Sequence, residues 1–223
     1  MKIQSQELKV LAEKKYHCAF CKGKNWYQRN VNEGIVPELF LGNPESCKIL
    51  IIGSNPALRK TRKKAPINSF DNYWNSCINW WNIREKEGRS IPKDRYFGRL
   101  FSIVSAVPSI KWNQNVVHCD IVSCPTRSKR DVGNNRDFRS IAQQCSKDIK
   151  KFIELLQPKI ILTNDVTAAE ILIGVLGLDS SRKTILPVND NCRLVPAGVT
   201  HSGRMDRFSF QRLKNDFKKA YES

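Results

Sequence analysis

KILIIGSNPAL, residues 48–58, is the stretch whose reading decides the fold. Ile49-Leu50-Ile51-Ile52 is an uninterrupted apolar run, and Gly53-Ser54-Asn55-Pro56-Ala57 is a tight turn after it. A short run rich in β-branched residues and closed by glycine predicts a buried strand of a parallel sheet. Open α/β sheets bind ligands just beyond the carboxyl ends of such strands, which makes Asn55 a candidate for chemistry. An Asn-Pro turn after a strand is also an ordinary connection. The choice between site and turn therefore rests on the rest of the chain.

Outward from this strand, helical and extended patterns alternate. Leu8, Leu11 and Ala12 mark one face of a short helix over 4–15. Residues 24–47, with Pro37, Gly42 and Pro44, read as an irregular connection. In 70–84, Tyr73, Trp74, Trp80 and Trp81 have helical spacing and predict core packing, with one or two exposed; the functional alternative is a wall beside a pocket. A helix begins near Tyr96 and ends before Pro108, and VVHCDIVS (116–123) is a second buried strand. A basic loop over 126–137 leads into a helix over 137–156, which Pro158 stops. Lys159–Thr163 is a third strand and 166–176 a helix. Segments 184–188 and 193–199 are further strand candidates, and a basic helix over 206–221 follows. Strands alternating with helices predict an α/β sandwich around a largely parallel sheet. The 223 residues suffice for one domain with a full core, and no repeat or low-complexity linker divides them.

The formal net charge is +17, from 38 Lys and Arg against 21 Asp and Glu. That excess points to a polyanionic partner, most simply nucleic acid. Arg59-Lys60-Thr61-Arg62-Lys63-Lys64 follows the turn directly and reads either as a solvated face or as a phosphate clamp. A membrane surface fits less well, because no basic amphipathic helix with a bulky apolar face and no run of about 18 apolar residues is present. MKIQSQELKVLAEKK is too charged for a secretory signal, so a cytoplasmic location is expected. There, eight cysteines argue against a disulfide framework. Cys18-Ala19-Phe20-Cys21 is a turn in which two thiolates can meet one metal centre, with two further ligands supplied from elsewhere.

Four segments together resemble the uracil-DNA glycosylase superfamily. KILIIGSNPAL is similar to its first motif and DIVSCPTR to its third-strand segment. PKIILTNDVTAAEILIG is similar to a strand-and-helix segment of the iron–sulfur branch, called family four. RLVPAGVTHSGR is similar to the closing strand with its active-site His. They stand in family order and, with the cysteines, span Cys18 to Arg204. The resemblance implies a three-layer α/β/α sandwich around a mainly parallel four-stranded sheet, uracil-DNA-glycosylase-like. It also implies one monomeric domain over 1–223, with 59–95 as an insertion. Cys18, Cys21, Cys124 and Cys145 match the ligands of a [4Fe–4S] cluster; zinc, which takes the same four thiolates, is the alternative. Cys47, Cys77, Cys119 and Cys192 are left as buried thiols.

The family cleaves the N-glycosidic bond of a nucleotide flipped out of DNA. Asn55 matches the residue that positions water, and His201 the residue that donates to O2 of the leaving base, here in His-Ser-Gly-Arg rather than His-Pro-Ser. Ser202 and Arg204, with Arg59, Lys60 and Arg127, are the expected contacts to DNA. Phe97, in YFGR, resembles the residue that stacks on the base, with Tyr96 as a competing choice. Ser54 stands where the iron–sulfur branch has Glu, and Ala57 where strict uracil enzymes have a Tyr that blocks groups on C5. Asp120 falls where uracil enzymes carry a base-reading Asn, unless it merely caps a turn. An ionised carboxylate only accepts hydrogen bonds and so opposes uracil O4, whereas a protonated one accepts from cytosine N4 and donates to N3. With Ala57, this predicts a 5-substituted cytosine, as in modified viral DNA. No lysine is placed to form an imine, so a monofunctional enzyme leaving an abasic site is expected. The rivals are a uracil-DNA glycosylase of base-excision repair and a non-catalytic module that binds DNA or abasic sites.

Overall fold

The computed structural model describes residues 2–22, 29–54, 66–94, 96–125, 135–179, 184–198 and 205–223. The strand expected at 49–52 is β1 (Ile49–Gly53), with its four apolar residues wholly buried. It lies between β2 (Val116–Asp120) and β3 (Ile160–Thr163), parallel to both. β5 (Cys192–Val195) extends the parallel set beyond β3. The register sets Gly53 opposite Asp120, and Ile52 opposite both Cys119 and Thr163.

Among the described residues the sheet has five strands, matching the five strand candidates of the sequence pattern rather than the four that the resemblance implied. β4 (Leu186–Asn189) joins the outer edge antiparallel to β5, giving the order β2-β1-β3-β5-β4. Asn189-Asp190-Asn191 supplies the reason: Asn189 Oδ1 accepts from Asn191 N at 2.9 Å and closes a tight hairpin. Pro187 is tolerated because β4 is an edge strand. At the opposite edge, Leu41 and His118 exchange backbone hydrogen bonds of 2.7 and 2.9 Å, so the segment before β1 covers β2.

Alternation along β1 builds the layers. Leu50 and Ile52 face a core shared with α1 (Lys2–Tyr16), α2 (Phe70–Ile78), α6 (Asn135–Leu156) and α7 (Val166–Leu176). Ile49 and Ile51 face the other core, shared with α3 (Trp80–Lys86), α4 (Phe97–Val104), α5 (Trp112–Asn115) and α8 (Arg207–Glu222). Among the described residues, no helix is long and apolar enough to cross a membrane.

The helical stretch expected over 70–84 breaks at Asn79, and its halves serve different layers. Tyr73 is buried in the first core and Trp81 in the second, while Trp74 and Trp80 are only partly buried. Tyr73 Oη accepts from Leu39 N, and Trp81 Nε1 donates to Val116 O, each at 2.8 Å. The α2–α3 pair therefore clasps the β2 edge from both sides. Truncating Trp81 to Ala removes a buried indole and orphans a carbonyl of β2, and is expected to cost about 3–5 kcal/mol in urea unfolding.

Candidate active site

The chain leaves β1 for β2 on one side and then for β3 on the other, and in doubly wound sheets the crevice opens at the carboxyl ends beside such a switch. Gly53 ends β1 there. A Cβ on Gly53 would lie 2.2 Å from Asp120 Oδ1 and 2.8 Å from Tyr96 Oη, so only a residue without a side chain lets those groups converge. Asp120, the last residue of β2, is 5% exposed.

Tyr96 is held from behind. Asp94 Oδ1 accepts from Tyr96 N at 2.7 Å and Phe97 N at 2.9 Å, which opens α4. The other Asp94 oxygen pairs with the buried Arg84 of α3, whose guanidinium lies 5.4 Å from the Phe97 ring centre. Burial pushes the Asp94 carboxyl upward, but the two amides and Arg84 outweigh it and leave its pKa below the usual carboxylate value. The Tyr96 hydroxyl meets His118 Nε2 at 3.3 Å. Burial, then the charge of Asp120, drives the Tyr96 pKa well up, with the Asn164 side chain acting against them. Tyr96 therefore stays protonated and neutral.

Between the ends of β1 and β3, Ser54 forms a lock. Its Oγ donates to the Asp165 carboxylate, at 2.5 Å from either oxygen. Asp165 also caps α7, accepting from Ala168 N at 3.0 Å. Thr163 Oγ1 donates to Ala197 O at 3.0 Å and accepts from Ala197 N at 2.8 Å, which ties the chain beyond β5 to the same edge.

Asp120 and Ser54 thus stand at the carboxyl end of the adjacent strands β2 and β1. Asn55, Ala57, Arg59, Lys60, Arg127, His201, Ser202 and Arg204 lie outside the described residues. In sequence, Asn55 follows Ser54 and His201 comes three residues after Gly198. Phe97 is placed differently from the stacking role expected of it. It is 7% exposed and sits in an aromatic core, its ring centre 5.1 Å from that of Trp81 and 5.3 Å from that of His118. Its neighbour Tyr96 brings the hydroxyl to Gly53. Sequence reasoning passed over His118, Asn164 and Asp165. For Asp165 a signal existed, since Asp before the apolar run 166–176 is a helix start.

His118 makes folding pH-dependent. Burial lowers its pKa from 6.5 to about 3. Below pH 6.5 the unfolded chain takes up a proton that the folded chain refuses. Stability present above that pH is therefore lost as the pH falls toward 3, by at most about 1.4 kcal/mol per pH unit. His118→Gln is expected to flatten the fall in urea midpoint between pH 6.5 and 4.5.

A second cluster lies on the α1–α6 side. Cys18, Cys21, Cys124 and Cys145 line one cavity of about 260 Å³, with Lys15, Asp148 and the exposed Lys14 and Lys147. α1 ends just before Cys18, Cys124 comes four residues after β2, and Cys145 faces inward from α6. The interaction with Cys21, then burial, holds the Cys124 thiol far above its usual pKa. Burial also raises Cys145, with Lys15 opposing. Burial disfavours the Lys15 charge, but the Cys145 sulfur and Asp148 outweigh it and its pKa ends above the ordinary lysine value. Among the described residues, no group of three or more His, Cys, Asp or Glu side chains stands arranged for a single metal ion. Four soft thiols around one cavity are nonetheless the donor chemistry of zinc or an iron–sulfur cluster. Of the remaining thiols, Cys77, Cys119 and Cys192 are buried and Cys47 is half-buried.

The chain matches no family model, and no curated protein is similar enough to it to count as a match.

Proposed function

We propose that this chain is a monofunctional DNA glycosylase. It acts as a cytoplasmic monomer, hydrolyses the N-glycosidic bond of an everted pyrimidine, a 5-substituted cytosine by preference, and leaves an abasic site. The observation that carries the reading is the convergence of the Asp120 carboxylate and the Tyr96 hydroxyl on Gly53, at the carboxyl end of the central strand. Support for the reaction class comes from the motif resemblance, which gives Asn55 the task of holding water under C1′ and His201 that of donating to the departing O2.

Electrostatics favours an amino-bearing base. Asp120 and Asp165 are buried carboxylates, and the described groups at the Tyr96 hydroxyl besides them are the neutral His118 and the Asn164 amide. The two carboxylates accept hydrogen bonds from an exocyclic amine and repel a carbonyl oxygen. A mispaired buried polar group costs about 1–3 kcal/mol, enough to order cytosine before uracil. The net charge of +17 supplies phosphate affinity, which falls steeply with added salt. A cluster or zinc ion on Cys18, Cys21, Cys124 and Cys145 would supply a cross-link between the start of the chain, the segment after β2 and α6.

The test is release of free base from single- and double-stranded oligonucleotides carrying uracil, cytosine, 5-methylcytosine or 5-hydroxymethylcytosine, read by mass spectrometry. The expected result is fastest release of a 5-substituted cytosine. Uracil released as fast or faster would make this a uracil enzyme. Tight DNA binding with no base released from any substrate would make it a binding module.

A further inference from the structure

We infer that the thiol cavity is built around a dianion and that Lys15 is its buried counter-charge. The inference rests on reading Cys18, Cys21, Cys124 and Cys145 as ligands. Lysine is almost never fully buried unless its charge is matched. The Lys15 side chain is 3% exposed, and its Nζ lies 2.7 Å from Asp148 Oδ2. That carboxylate is shared, because Asp148 Oδ1 also takes Lys14 at 2.9 Å. Lys147 lines the cavity as well, so three lysines face one aspartate among its described residues. Lys14 and Lys147 keep their ammonium groups in water, whereas Lys15 does not.

Lys15 alone of the three is buried, and because Asp148 is shared with Lys14, neutral thiols would leave the Lys15 charge only partly matched. Four thiolates change the balance. On Zn²⁺ they carry a net charge of −2, and on a [4Fe–4S] core in its 2+ state they also carry −2. Either charge suits a cavity whose lining is cationic, and Lys15 is the buried cation of that lining. Lys15 sits in the last turn of α1 and Asp148 lies three residues after Cys145 on α6. The pair therefore joins the two helices that bring three of the four sulfurs.

The counter-charge role has a sign that a packing role lacks. A nearby buried cation favours the more negative state of the centre, so removing it disfavours taking up an electron. The test uses full-length protein purified without oxygen, as wild type, Lys15→Met, which keeps the apolar length, and Lys15→Arg, which restores the charge. Bound iron and zinc are measured by elemental analysis, and the reduction potential by dithionite titration followed near 400 nm. The expected result is that Lys15→Met retains less than half of the wild-type metal. Any iron it keeps reduces at a more negative potential, and Lys15→Arg returns both toward wild type. In a zinc-loaded protein the same loss appears as faster release to a chelator. Equal metal content and equal potential, or equal release rate, in Lys15→Met and wild type overturn the counter-charge. Failure of the wild type to take up zinc, or iron with sulfide, instead removes the ligand assignment itself. Metal-free Lys15→Met should melt no lower than metal-free wild type by circular dichroism, because Asp148 keeps Lys14; a lower melt for the variant assigns Lys15 to packing and overturns the inference.

Discussion

Asp120→Asn is expected to invert the base preference, so that the variant releases uracil faster than any cytosine derivative. The substitution keeps the shape of the side chain at a position that is 5% exposed, and the neighbouring Gly53 leaves room for it. What changes is the hydrogen-bond pattern. A carboxylate offers acceptors to the N4 amine, whereas an amide offers a donor to O4 and an acceptor to N3–H. Each mismatch costs about 1–3 kcal/mol, so cytosine-type release should fall by about 10–100-fold and uracil release rise by a similar factor. The quantity to compare is kcat/KM on matched oligonucleotides, with the melting temperature as a check on folding. An unchanged ranking would mean that Asp120 reads nothing.

The second large effect is expected at Gly53. In Gly53→Ala the new methyl falls 2.2 Å from Asp120 Oδ1 and 2.8 Å from Tyr96 Oη, closer than either contact can bear. Both are ends of side chains, so they swing aside rather than break the strand, and the reading edge of the site moves with them. A displacement of about 1 Å from productive geometry can cost on the order of 100-fold in rate. Gly53→Ala should therefore lose base release by at least about that factor while retaining DNA binding, which depends on phosphate contacts. Gly198→Ala is the control. Its methyl would meet Val166 Cγ2 at 2.9 Å, a contact that one side-chain rotation relieves, and activity should change little.

The parts of the molecule that were legible in the sequence are those fixed by local pattern. Ile49–Ile52 had to be buried on both faces, and the alternation that sends Leu50 and Ile51 to opposite cores follows from strand geometry. Helices over 137–156 and 166–176 were legible from apolar spacing, with Pro158 stopping the first, and the observed α6 and α7 agree within two residues. The break at Asn79 carries no glycine or proline to announce it; it follows from Tyr73 and Trp81 being claimed by different cores. The choice between Tyr96 and Phe97 was equally non-local. Adjacent aromatics at a helix start point in different directions, and Asp94 with Arg84, ten residues earlier on α3, settles which one reaches the crevice. β4 was legible as the strand candidate 184–188; the count of four came from the family resemblance, and the Asn189-Asp190-Asn191 hairpin is what adds β4 to the edge beside β5. The gathering of Cys124 and Cys145 beside the local Cys18–Cys21 pair depends on the chain after β2 and the middle of α6 lining the same cavity, which spacing along the chain does not show.

The central claim is that an everted pyrimidine lodges where Gly53, Tyr96 and Asp120 converge, with its coding edge toward Asp120. The most direct test is a crystal structure of the protein with a DNA duplex carrying 2′-fluoroarabino-5-hydroxymethylcytidine, whose glycosidic bond resists cleavage. The account predicts the flipped base between the Asn55 and His201 turns, its N4 within hydrogen-bond distance of the Asp120 carboxylate and its C5 substituent toward Ala57. A base still stacked in the duplex, or flipped into a pocket that Asp120 does not line, would contradict it.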